Sequence, residues 1–148
     1  MAGIEIKDAR EIEIMREAGR IVSAVLQLAS EMARPGVSTE EIDRAAEDYI
    51  VSRGGRPTFK GYRGFPASLC LSINEEVVHG IPSPRRILKE GDLLKIDAGV
   101  THREYVADAA LSVPVGRISE EARRLVESTR GALEAAIAVV RPDARLSD

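Results

Sequence analysis

The sequence has 148 residues, 44% of them apolar and 30% charged, with a net charge of −3. That length suits one core, and the composition excludes low-complexity disorder and a collagen-like chain. The acidic balance argues against a general nucleic-acid binder, whose affinity would rest on clustered Lys and Arg.

The short basic group of Arg85, Arg86 and Lys89 reads as a solvated loop. No apolar run approaches the roughly 20 residues that a membrane span needs. The opening MAGIEIKDAR has no apolar signal-peptide core. Cys70 is alone, so neither an internal disulfide nor a Cys-based structural zinc site can form, and a reducing compartment such as the cytoplasm suits it. His79 and His102 are the only histidines, and no HExxH helix can be built from them. Any metal must rest mainly on carboxylates.

Residues 8–33 read as an amphipathic helix. Asp8 caps it, Glu11 completes a capping box, and Ile12, Met15, Val22, Val25, Leu28, Ala29 and Met32 recur at helical spacing. Pro35-Gly36 stops it. A second helix runs over 39–53, capped by Ser38 with Glu41, with Val37 placed to staple against Ile42. Gly54-Gly55 ends it. From 56 to about 115 the pattern changes to strands and loops. Strands are expected at 69–73, 93–99 and 104–113, the last with Tyr105, Ala107, Ala109, Leu111 and Val113 on one face. A third helix follows Ser119 and runs to about Val140, where Pro142 stops it.

The two helix ends resemble each other. Arg34-Pro35 leads to the cap at Ser38, and Arg141-Pro142 leads to a candidate cap at Ser147 or Asp148. Residues 119–148 therefore read as the opening of a second copy of the unit that begins at residue 8. On that reading the sequence is a fragment, cut at the second helix of its second repeat.

Asp97 and Asp108 are the central observation. In a hairpin closed around His102-Arg103, residue 97 lies directly opposite residue 108. Both carboxylates then share one face, with Cβ atoms about 4.5–5.5 Å apart. Two like charges so placed are unfavourable, and a cation between them would explain the pair. The alternative is two solvated carboxylates at strand ends. Oxygen ligation suits Mg, Mn, Fe(II) or Co(II), and such a pair could reach two metals. His79, in Val77-Val78-His79-Gly80-Ile81-Pro82, sits in a loop fixed by Gly and Pro. Such loops carry functional side chains, and a histidine satisfied by a backbone carbonyl fits equally well. Cys70 reads as plain strand core and His102 as a solvated hairpin tip. The stretch from Lys60 to Phe65 suits a pocket wall or a surface loop.

At these residues the sequence closely resembles type I methionine aminopeptidase. The matching stretches are Phe59-Lys60-Gly61-Tyr62, Gly64-Phe65-Pro66-Ala67-Ser68 and Ser72-Ile73-Asn74-Glu75. Further on they are Val78-His79-Gly80-Ile81-Pro82, Gly91-Asp92, Ile96-Asp97-Ala98-Gly99 and Ala107-Asp108. The resemblance runs from the first helix to Arg145-Leu146-Ser147-Asp148. It implies an α/β (α+β) pita-bread aminopeptidase fold: the first half plus the first helix of the second pseudo-symmetric half. The whole of 1–148 is then one incomplete domain, with the first repeat at 1–117 and the start of the second at 118–148.

The implied reaction is metal-dependent removal of the N-terminal methionine from nascent proteins and peptides. The implied cofactors are two divalent ions (Co, Mn, Fe or Zn), only partly liganded by this chain. By resemblance Asp97 ligates one metal, Asp108 bridges both, and His79 is catalytic and contacts the scissile amide. Tyr62, Phe65 and Cys70 match the pocket for the methionine side chain. Phe65 stands where some members carry tyrosine, which keeps the pocket apolar but removes a hydroxyl. The family's His ligand and two Glu ligands would lie beyond residue 148, so the chain is expected to be inactive alone. Implied partners are the N-terminal Met of nascent chains and the ribosome, with self-association through the truncated face; nucleic acid and membrane are not expected. Rival readings are a peptidase of the Xaa-Pro or creatinase type, a catalytically silent binding module, and a half that acts only with its complement.

Overall fold

A computed structural model describes residues 5–145 and 147. The chain divides into two units, 1–117 and 118–148. In the first unit, helix α1 (Ala9–Met32) starts at the expected capping box. The Asp8 carboxylate accepts from the Glu11 amide at 2.8 Å, and Glu11 accepts from the Asp8 amide at 2.7 Å. Helix α2 (Thr39–Ser52) starts in the same way at Ser38 and Glu41. Each box satisfies amides that the first helical turn would leave without partners.

Four antiparallel strands follow: β1 (Arg56–Pro57), β2 (Leu69–Ile73), β3 (Leu93–His102) and β4 (Tyr105–Pro114). β3 is central, with β4 on one side and β1 and β2 on the other. The short β1 has no signal in the sequence, because two residues ending in proline carry no alternation to read. Leu94, Ile96, Ala98 and Val100 of β3 are fully buried, as are Leu69 and Leu71 of β2. They join Val22, Val25 and Ala29 of α1 and Ile42, Ala46 and Ile50 of α2 in one core. The period of two along a strand then turns Cys70, Ser72, Lys95, Asp97 and Gly99 to the opposite face of the sheet. On β4, Ala107, Leu111 and Val113 share the core side, and Val106, Asp108, Ala110 and Ser112 share the other.

The hairpin register differs from the sequence expectation. The turn is Arg103-Glu104, not His102-Arg103, so Asp97 lies opposite Ala110 and Asp108 opposite Gly99. Arg103 and Glu104 have φ of 47° and 69°, the backbone of the two-residue turn whose twist suits paired strands. His102 stays in the strand and pairs with Tyr105. It is not a solvated tip. Its Nε2 lies 3.1 Å from the Glu17 carboxylate and its Nδ1 3.2 Å from the Gly54 carbonyl oxygen.

The second unit holds helix α3 (Glu120–Ala138), capped by Ser119, whose hydroxyl accepts from the Ala122 amide. Arg123 pairs with Glu120 and Glu127 along its surface. Leu125, Leu133 and Ile137 are exposed. Of the expected cap at Ser147 or Asp148, Asp148 lies outside the described residues and Ser147 is in a turn. Among the described residues no helix is long and apolar enough to cross a membrane.

One bond ties the start of α1 to the start of β4: the Tyr105 hydroxyl donates to Glu11 at 2.6 Å. That bond, followed by the Asp8 amide, holds the Glu11 carboxyl below its ordinary value. A depressed carboxyl adds stability above its unfolded pKa and loses it as pH falls through the folded one. Tyr105→Phe is therefore expected to lower the melting temperature at about pH 7 and to differ less from the parent near pH 3. Paired melts check this, and equal losses at both pH values would contradict it.

Candidate functional site

The face of the sheet turned away from the helices carries a cleft of about 590 Å³. Tyr62, Phe65, Cys70, His79, Asp97 and Asp108 all line it. They come from five parts of the chain: the turn at 62–65, β2, the loop after it, β3 and β4.

Cys70 and Asp97 are direct neighbours across the β2–β3 pair. Asp108 is diagonal to Asp97 on the same face. Such diagonal positions lie about 7–8 Å apart, with somewhat less between Cβ atoms. This is wider than the direct opposition expected from the sequence, and it leaves room between the carboxylates. Asp97 is half-buried and Asp108 exposed. Burial raises the Asp97 carboxyl above its ordinary value, Asp108 adds to the rise, and His79 pulls the other way. Cys70 is 5% exposed, and burial followed by Asp97 and Asp108 pushes its thiol up to about 11. It is therefore a neutral, soft wall rather than a nucleophile.

His79 reaches the cleft because Gly80 is locked onto β2. The Gly80 amide donates to the Ser72 hydroxyl at 3.0 Å, and the Gly80 carbonyl accepts from the Leu71 amide at 2.9 Å. A Cβ on Gly80 would lie 2.2 Å from the Leu71 carbonyl oxygen, so only glycine allows this approach. His79 itself has φ 61°, a left-handed conformation that costs a side-chain-bearing residue about 1–2 kcal/mol. His79 is exposed and lines the cleft with Asp97. No hydrogen bond from the His79 ring to a carbonyl is seen among the described residues.

The Gly-rich aromatic stretch forms one wall. A 3₁₀ turn at Tyr62–Gly64 presents Tyr62, 64% exposed, with the Arg63 guanidinium 5.5 Å from its ring centre. The sequence reading missed Phe59, Pro66 and Ile81, which also line the cleft, while Arg63 lies in the stretch expected as a pocket wall. Phe59 had a signal in Gly99. A Cβ there would meet the Phe59 ring at 2.6 Å, so the bare backbone of β3 is what lets that ring lie on the sheet.

The donor set suits a hard divalent cation, because two carboxylates, Asp97 and Asp108, line one face of the cleft, and among the described residues no salt bridge is seen for either. It is not a closed site. Among the described residues no group of three His, Cys, Asp or Glu is placed to hold a metal ion.

The chain is similar to methionine aminopeptidase of Clostridium acetobutylicum, at 51% identity over 127 residues, which is 86% of this chain and 51% of the relative. It is 45% identical to methionine aminopeptidase 1 of Bacillus subtilis, over 96% of this chain and 57% of that one. The solved methionine aminopeptidase of Thermotoga maritima superposes with a TM-score of 0.95 at 36% identity, over 99% of this chain and 59% of that chain. The fold is thus the α/β pita-bread fold of those enzymes, and the chain spans about half the length of the curated relatives it matches. The model of metallopeptidase family M24 matches residues 13–148, and the chain belongs to that family.

Proposed function

We propose that this cleft serves the removal of an N-terminal methionine from peptides and nascent proteins, with residues outside positions 1–148 completing it. The observation that carries the reading is the convergence of Asp97, Asp108 and His79 beside an apolar wall of Phe59, Phe65 and Cys70. Asp97 and Asp108 would hold divalent metal, with Asp108 shared between two ions. Bound there, such ions supply Lewis acidity and lower the pKa of water. Phe59, Phe65 and the neutral thiol of Cys70 offer the soft surface that suits a flexible thioether. His79, fixed by Gly80, donates to the scissile amide where negative charge develops. The lone buried cysteine fits a cytoplasmic protein.

The test is a chimaera in which this chain replaces the stretch that it matches in the Bacillus subtilis relative. It is expected to release methionine from Met-Ala-Ser with added Mn(II) or Co(II) and to leave Ala-Pro intact. Asp108→Asn keeps the shape but removes a charge, so metal occupancy and turnover should both fall while circular dichroism is unchanged. His79→Ala should lower kcat by about 10² to 10³ with metal content near the parent value. Cleavage of Ala-Pro instead would favour the Xaa-Pro reading. Full metal content without hydrolysis would favour a binding module.

We further propose that the chain by itself self-associates. Among the described residues β4 pairs only with β3, which leaves a ten-residue edge open. Val106 on that strand is 47% exposed, and open apolar edges recruit other strands. Sedimentation velocity is expected to find dimers that Val106→Lys dissolves. A chain monomeric at every concentration would contradict this.

A further inference from the structure

The mechanism above gives no task to a group of charges behind the pocket wall. Asp43 and Glu47 lie one turn apart on α2 and share a face. Both reach across to the stretch that carries Tyr62 and Phe65. The Asp43 carboxylate accepts from the Ser68 amide at 3.0 Å and from the Leu69 amide at 2.7 Å. Glu47 accepts from the Ser68 hydroxyl at 2.9 Å. Its two oxygens also receive the Lys60 ammonium, at 2.6 and 2.7 Å. Lys60 and Ser68 bracket the wall, one at each end of it. Among the described residues the backbone bonds seen for the turn between them are short-range ones, from Gly61 to Phe65, Tyr62 to Phe59, Gly64 to Gly61 and Phe65 to Tyr62.

We infer that Asp43 and Glu47 are positioning residues for the substrate pocket: Asp43 anchors the entry to β2, and Glu47 latches both ends of the 60–68 wall to α2. The inference rests on the reading of the cleft as a methionine pocket. The chemistry favours a latch over a chance surface pair. Ser68 is fully buried, so its hydroxyl needs a partner, and Glu47 supplies it. Glu47 therefore cannot turn to solvent without leaving Ser68 unsatisfied, and its second role, holding Lys60, is fixed with the first. Through these bonds α2, whose apolar side is locked in the core, dictates the height of the Tyr62 and Phe65 rings over the sheet.

The test is hydrogen exchange of the whole 148-residue chain, read by mass spectrometry over the 59–68 segment. Glu47→Gln is expected to speed exchange of the Gly61, Tyr62 and Phe65 amides by about fivefold, the upper range for an exposed pair, while β3 and β4 amides keep the parent rate. A general loss of stability would speed both. Lys60→Arg, which keeps the charge and leaves Ser68 its acceptor, should keep the slow rate. Lys60→Met, which leaves α2 untouched, should act as Glu47→Gln does and serves if that variant fails to fold. Parent-like exchange in both Glu47→Gln and Lys60→Met, or fast exchange in Lys60→Arg, would overturn the latch. A second arm titrates L-methioninamide by NMR into the chimaera described above, in which the cleft is complete, with and without the Glu47→Gln change. Weaker binding in Glu47→Gln than in the parent ties the latch to the pocket. No binding to the parent counts against the methionine-pocket reading alone, because the exchange arm still decides the latch.

Discussion

The register of the β3–β4 hairpin governs the site. Arg103 and Glu104 take the left-handed conformations of a two-residue turn, and this sets every pairing from His102–Tyr105 to Leu93–Pro114. A slip of one residue would send Asp108 to the core side and Ala107 to the cleft. The turn is itself held in place from outside. His102 is gripped by Glu17 and the Gly54 carbonyl, Arg103 reaches Glu17, and Tyr105 bonds Glu11. Helix α1 therefore does more than cover the sheet: its outer turns fix which β4 residue faces Asp97.

Two carboxylates on one face, one of them half-buried, do not stabilise a fold. The Asp97 carboxyl is held high by burial and by Asp108, so its charge works against the folded chain. The same tension appears at His79, in a left-handed conformation paid for by the two backbone bonds of Gly80. Unfavourable local choices that neighbours enforce cluster at functional sites. Here they converge on one cleft, whereas the core beneath is an ordinary aliphatic interior.

The helices were legible because their signals are local: Asp8 with Glu11 and Ser38 with Glu41 are read within four residues. The long strands were legible from alternation. The turn was not, since Arg103-Glu104 contains none of the Gly or Asn that mark such turns. The resulting error was an even number of residues, so Asp97 and Asp108 kept a common face while their direct opposition became diagonal. His102 was misread because its partners lie 48 and 85 residues away. Asp43 and Glu47 carry no signal in sequence that ties them to Lys60 and Ser68, and only the fold brings these residues together. The family resemblance supplied roles that periodicity could not, and the Asp pair was visible without it.

The proposed function makes Asp97 and Asp108 a destabilising pair that a cation would relieve. The most direct measurement is the melting temperature of the parent chain and of Asp97→Asn, each with and without Mn(II). In metal-free buffer near neutral pH the variant should melt higher than the parent, because it loses a half-buried charge and its repulsion by Asp108. Added Mn(II) should raise the parent and leave the variant where it was. A variant that melts lower without metal, together with equal shifts in both proteins on adding Mn(II), would contradict the account.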